Sequence, residues 1–163
     1  MLTATIHGSA QFSRCGRYRY RLTRHWGVGP RVTFVMLNPS TADAERNDPT
    51  IRKCIGFAQR WGCGRLQVVN LFALRATSPA ELRRVSDPVG PRNRGMIERV
   101  LAEPGGIVVC AWGVHGQLME QGDKVAAWLE HIGNRELMCL GRTSAGHPRH
   151  PLYLPYTANL IPY

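Results

Sequence analysis

Acidic residues are few in this chain: 11 Asp and Glu stand against 21 Lys and Arg, a formal net charge of +10 over 163 residues. The shortage of acid points to a polyanionic partner, because each cation set against a phosphate releases condensed counterions. Most of the cations are arginines, whose fork suits phosphate oxygens. Long apolar runs are missing too, and the start MLTATIHGSAQFSRCGRYRYRL lacks the apolar stretch of a signal peptide. A soluble, cytoplasmic chain that does not enter a membrane is expected. Cys15, Cys54, Cys63, Cys110 and Cys139 occur singly, with no C-x-x-C pair and an odd total. That spacing argues against a disulfide frame, a zinc site or an iron–sulfur cluster and for reduced, buried thiols.

What is present suits one globular domain over residues 1–163, with residues 1–30 as an N-terminal covering hairpin or extension. RYRYRLTRHW, Arg17 to Trp26, alternates basic with aromatic or apolar residues, as in a half-exposed strand with arginines on one face. Four compact apolar runs read as buried strands: Arg31–Leu37, Leu66–Leu71, Ile107–Ala111 and Glu136–Leu140. Helices are predicted between them. One begins with Asp48 as cap and Pro49 in the first turn and sets Ile51, Cys54, Ile55 and Ala58 on one face. Others are predicted from after Pro91 to about Glu103 and over Val114–Ile132. Strands alternating with helices predict an α/β domain of three layers, α/β/α, around a four-stranded, mainly parallel sheet. Ligands in such sheets bind beyond the carboxyl ends of the strands.

The polar motifs fall at those ends: Asn38-Pro39-Ser40-Thr41 after the first run, Asn70 at the end of the second, Trp112-Gly113 after the third, Gly146-His147-Pro148 after the fourth. In this ordered set, MLNPST, VVNLFALR, VVCAWGVHGQL and GHPRHPLY, the chain resembles the uracil-DNA-glycosylase superfamily from about Arg31 to Tyr153. It also resembles a bacterial domain family carrying the same NPSTAD, DPT and GHPRHPLYL pattern. The first resemblance implies a uracil-DNA-glycosylase-like fold and a monofunctional hydrolase, monomeric and free of cofactor and metal. Such an enzyme flips uracil or a 5-substituted uracil out of DNA and cleaves its bond to deoxyribose in base excision repair.

The resemblance also implies roles. Asn38 would orient a water toward the anomeric carbon, and His147 would donate a hydrogen bond to the pyrimidine O2 as charge accumulates there. The family's last motif has one residue fewer before its second proline, and Arg149 stands where the family has serine, so His147 and His150 both stay candidates. Asn70 would read the base edge, and Pro39 and Ser40 would line the base pocket. The small Ser40 would leave room for a C5 substituent such as hydroxymethyl. Arg149, His150, Leu152 and Tyr153 would touch DNA, the last two as an apolar wedge. Plainer roles fit the same residues: an Asx turn for Asn38, strand-end hydrogen bonding for Asn70, phosphate contact for His147 and tail packing for Leu152 and Tyr153. Asp43, Glu45 and Asp48 suggest no metal site, since Asp48 serves as a helix cap. A non-catalytic nucleic-acid-binding module on the same scaffold, or an enzyme of free nucleosides, is the rival expectation.

Overall fold

The structure, a computed structural model, describes residues 5–132 and 135–163. The first four residues of the expected N-terminal hairpin therefore lie outside it. Seven strands make one sheet: β1 His7–Phe12, β2 Arg19–His25, β3 Arg31–Met36, β4 Arg65–Asn70, β5 Ile107–Cys110, β6 Leu137–Cys139 and β7 Ile161–Pro162. Their spatial order is β1-β2-β4-β3-β5-β6-β7.

The α/β class holds, but the expected four-stranded, mainly parallel sheet does not. The four apolar runs are β3 to β6, and β4-β3, β3-β5 and β5-β6 pair parallel. The β1-β2, β2-β4 and β6-β7 pairings are antiparallel, so the sheet is mixed. The N-terminal hairpin extends the sheet edge instead of covering a face. Leu22 of β2 is fully buried opposite Val68, which an outlying hairpin would not achieve.

Strand alternation sends side chains to two cores. On one face Val35, Val69, Val108, Cys110 and Leu137 pack against α2, Asn93–Ala102, and α3, Gln121–Leu129. On the other, Val32, Phe34, Met36, Leu66, Val68 and Val109 pack against α1, Pro49–Arg60, through Ile51, Cys54, Ile55 and Ala58. Each fully buried aliphatic chain here contributes about 1.5–3 kcal/mol. The single helix expected over Val114–Ile132 is broken. Val114–Glu120 forms 3₁₀ turns, and Met119 and Glu120 sit in the left-handed region at φ 56° and 55° before α3 begins. Among the described residues no helix is long and apolar enough to cross a membrane.

Candidate functional site

The loops after β3, β4 and β5 meet above the parallel strands. Beyond the ends of β3 and β4 the chains stay paired, with Leu71 N–H donating to Met36 O, Phe72 N–H to Leu37 O and Ala76 N–H to Pro39 O, each at 2.9 Å. Asn38 fastens this junction, because its Nδ2 donates to Pro39 O at 2.9 Å and to Ala76 O at 2.8 Å. Both partners are carbonyl oxygens, which fixes the orientation of the amide and leaves Oδ1 as its free acceptor.

The opposite wall comes from the histidine–proline loop. Gly113, at φ 73° after β5, donates its N–H to Pro148 O at 2.8 Å and so ties the loop to the sheet. A Cβ at Gly113 would stand 3.4 Å from that of His150, so the close approach also favours glycine. His150 caps a 3₁₀ turn over Pro151–Tyr153, its Nδ1 accepting from Leu152 N–H at 3.2 Å. An imidazole whose Nδ1 accepts carries its proton on Nε2. Burial lowers the pKa of His150, and the carboxylate of Asp48 pulls it back up in part. The ring is therefore a neutral Nε2–H donor at neutral pH.

Between these walls lies a cleft of about 560 Å³, lined by Asn38, Ser40, Asp48, Thr50, Trp112 and His150, with Val114, His115, Leu152 and Tyr153 toward its mouth. Below it a cavity of about 40 Å³ shares Asn38, Ser40, Asp48, Thr50 and His150 and adds Arg19 and Asn70. Asp48 is 6% exposed and is the one carboxylate among the cleft's lining residues. Its Oδ1 accepts from Ile51 N–H at 2.8 Å and its Oδ2 from Ala42 N–H at 3.3 Å. Asn70 is 3% exposed, and its side chain makes no hydrogen bond among the described residues. The expected row of arginines on an open strand face is overturned at Arg19 and Arg24, which are buried beneath the Ser40–Asp48 loop. Arg19 Nη1 donates to Ala42 O at 2.8 Å, and Arg24 reaches Asp43 O, Arg46 O and Asn47 Oδ1.

The structure thus brings Asn38, Ser40, Asn70 and His150 together and leaves His147 out of the cleft lining. His147 closes a turn in which its N–H donates to Thr143 Oγ1 at 3.1 Å and its carbonyl accepts from Thr143 N–H at 2.8 Å. Pro39 is buried behind Asn38, Arg149 is exposed outside the lining, Leu152 is half-buried, and Tyr153 is 91% exposed at the mouth. Arg19 and Asp48 are the residues that sequence reasoning passed over. The signal for Asp48 was present, but its capping role already accounted for it. A groove lined by Arg17, Arg75, Ser40 and Thr77 adjoins the cleft. Among the described residues no group of three or more His, Cys, Asp or Glu is disposed to hold a metal ion.

No curated protein and no solved structure matches the chain. A family model does, over residues 19–152, a span that takes in every named cleft residue except Tyr153. On that match, the chain belongs to the family described as "Protein of unknown function (DUF1643)".

Proposed function

We propose that the protein is a DNA glycosylase that hydrolyses the N-glycosidic bond of uracil or a 5-substituted uracil, on a scaffold of the uracil-DNA-glycosylase type. The observation that carries this is the pairing of two fixed polar groups across one cleft: the neutral His150, with its Nε2–H free, and Asn38, with its Oδ1 free. As the bond from the anomeric carbon to N1 breaks, its electron pair passes to the pyrimidine. The charge collects on O2, where His150 Nε2–H donates to it. Asn38 Oδ1 holds a water against the sugar cation, Asp48 offsets the cation's charge, and the water's oxygen bonds to the anomeric carbon while its proton leaves to solvent. Asn70, in the inner cavity, offers a donor and an acceptor to the base edge. Tyr153 and Leu152 suit the space that a flipped base vacates.

Single-turnover assays on oligonucleotides bearing uracil or 5-hydroxymethyluracil, scored for abasic sites, test the proposal. Abasic-site formation by the wild type supports it. Tight DNA binding without base release would point instead to a binding module on the same scaffold. Ser40 lines both the cleft and the inner cavity, so 5-hydroxymethyluracil is expected to be processed at least as well as uracil. Ser40→Tyr should shift the preference toward uracil, and an unchanged preference would remove Ser40 from the base pocket.

A further inference from the structure

The flank below the cleft mouth is built from α1 and the tail that crosses it, and neither brings an acid to it. The chain carries no Asp or Glu from Pro49 to Ala80 or from Leu137 to Tyr163. α1 instead brings Arg52, Lys53 and Arg60, and among the described residues no carboxylate lies within ion-pairing distance of any of them. Two of these cations are organised by an aromatic ring. Lys53, Gly56, Phe57 and Arg60 share one stripe of the helix, and Tyr156 lies on it. Lys53 Nζ stands 4.0 Å and the guanidinium carbon of Arg60 4.5 Å from the Tyr156 ring centroid. Gly56 makes the seat, since a Cβ there would stand 2.5 Å from the ring. The ring orders both side chains as a carboxylate would, but leaves their charge unneutralised.

α1 begins in the cleft lining at Pro49 and Thr50 and ends just before the start of β4, so it runs antiparallel to β3 and β4. The cations therefore lead from the cleft down the side of the molecule, and from Lys53 to Arg60 the helix advances about 10 Å. Tyr153, 91% exposed at the cleft mouth, precedes Tyr156 on the same tail and stands at the head of the row. We propose that this face of α1 is a track for single-stranded nucleic acid leaving the cleft, with Lys53 and Arg60 on separate phosphates and Tyr153 stacked on a base. The direction of the row selects the single strand. A duplex is stiff over about 150 base pairs and does not turn from the rim down the flank within the length of one helix. That the strand is DNA rests on the glycosylase proposal; the cationic track does not.

The test is fluorescence anisotropy of the full chain with a labelled oligothymidylate of about ten nucleotides, and with a blunt duplex of the same length, at low and moderate salt. The paired change Lys53→Gln and Arg60→Gln is expected to weaken single-strand binding about tenfold and to flatten its salt slope by about 0.7 for each lost phosphate contact. Duplex binding should stay within about twofold, because the track lies off its path. Arg94→Gln with Arg99→Gln removes the same charge from exposed positions on α2, across the sheet, and should leave both affinities nearly unchanged. The exchange Lys53→Arg with Arg60→Lys keeps both charges and should bind as the wild type does, with the unfolding transition of every variant checked in urea. No binding of the single strand, an unchanged affinity in the folded glutamine pair, equal weakening by the α2 pair or of the duplex, or loss in the charge-keeping exchange would each overturn the proposal. The oligonucleotides carry no uracil, so the two proposals fail separately: a track that binds without abasic-site formation on uracil strands would keep this surface and end the glycosylase.

Discussion

At the scale of single residues, the two candidate histidines are told apart by what their nitrogens do. His150 has Nδ1 engaged by Leu152 N–H and lines the cleft, whereas His147 spends its backbone on a turn. On the proposed mechanism, His150→Ala and Asn38→Ala are each expected to lower single-turnover cleavage about a hundredfold or more, since each would remove a group set against the transition state. His147→Ala should leave it within a few-fold. The reverse order in a cleavage time course would move the active histidine back to 147. The lowered pKa of His150 gives a second expectation. Above about 6.5, the ordinary histidine value, the ring is neutral in both the folded and unfolded chain and adds no pH dependence. As pH falls through that value the unfolded chain takes the proton first, so stability declines until the lowered folded value is passed. Urea unfolding of His150→Gln between pH 5 and 7 should show a shallower decline than the wild type, and parallel profiles would contradict the shift.

At the scale of elements, the start of α1 does two things at once. Asp48 caps the helix and is also the carboxylate of the cleft. Asparagine caps as well as aspartate, so Asp48→Asn should keep most of the helix's stability, within about 1 kcal/mol, while slowing cleavage tenfold or more. Equal loss of stability and activity in thermal melts and cleavage assays would make Asp48 a cap alone. The same element shows why sequence reading stopped where it did. Asp48, Pro49 and the spacing of Ile51, Cys54, Ile55 and Ala58 are local signals, and they announce the helix and its start. That the cap also faces His150, a hundred positions along the chain, is a tertiary fact that no local pattern carries. The central strands were legible as continuous β-branched and aliphatic runs. The antiparallel pairing of β2 with β4 was not, because alternation in Arg17–Trp26 suits a covering hairpin and a sheet edge equally. Nor was the break at Met119–Glu120, where neither residue favours the left-handed conformation.

For the whole molecule, the surplus of positive charge is only partly spent inside the fold. Glu103 bridges Arg21 and Arg31, and Arg19 and Arg24 are buried. Arg17, Arg75 and Arg149 are exposed, the first two in the groove beside the cleft. If DNA lies along that groove, affinity should fall steeply between low and moderate salt, and Arg17→Ala should reduce the slope of log K against log salt by about one. Fluorescence anisotropy on a labelled duplex measures both. A slope near zero would remove DNA as the partner that the charge implies.

The clasp made by Asn38 has a kinetic side. By tying Ala76 O to the turn after β3, it makes the strand-end backbone of Met36–Pro39 and Leu71–Ala76 one hydrogen-bonded block. The segment Val114–Glu120, which meets the mouth of the cleft through Val114 and His115, is a run of 3₁₀ turns ending in two left-handed residues that each hold about 1–2 kcal/mol of strain. Amide protons in the block should therefore exchange with solvent late and together, and those of the 3₁₀ segment early. A ligand entering the cleft then meets strand ends that are held as a unit, while the turn segment that begins at its mouth is the first to open to solvent.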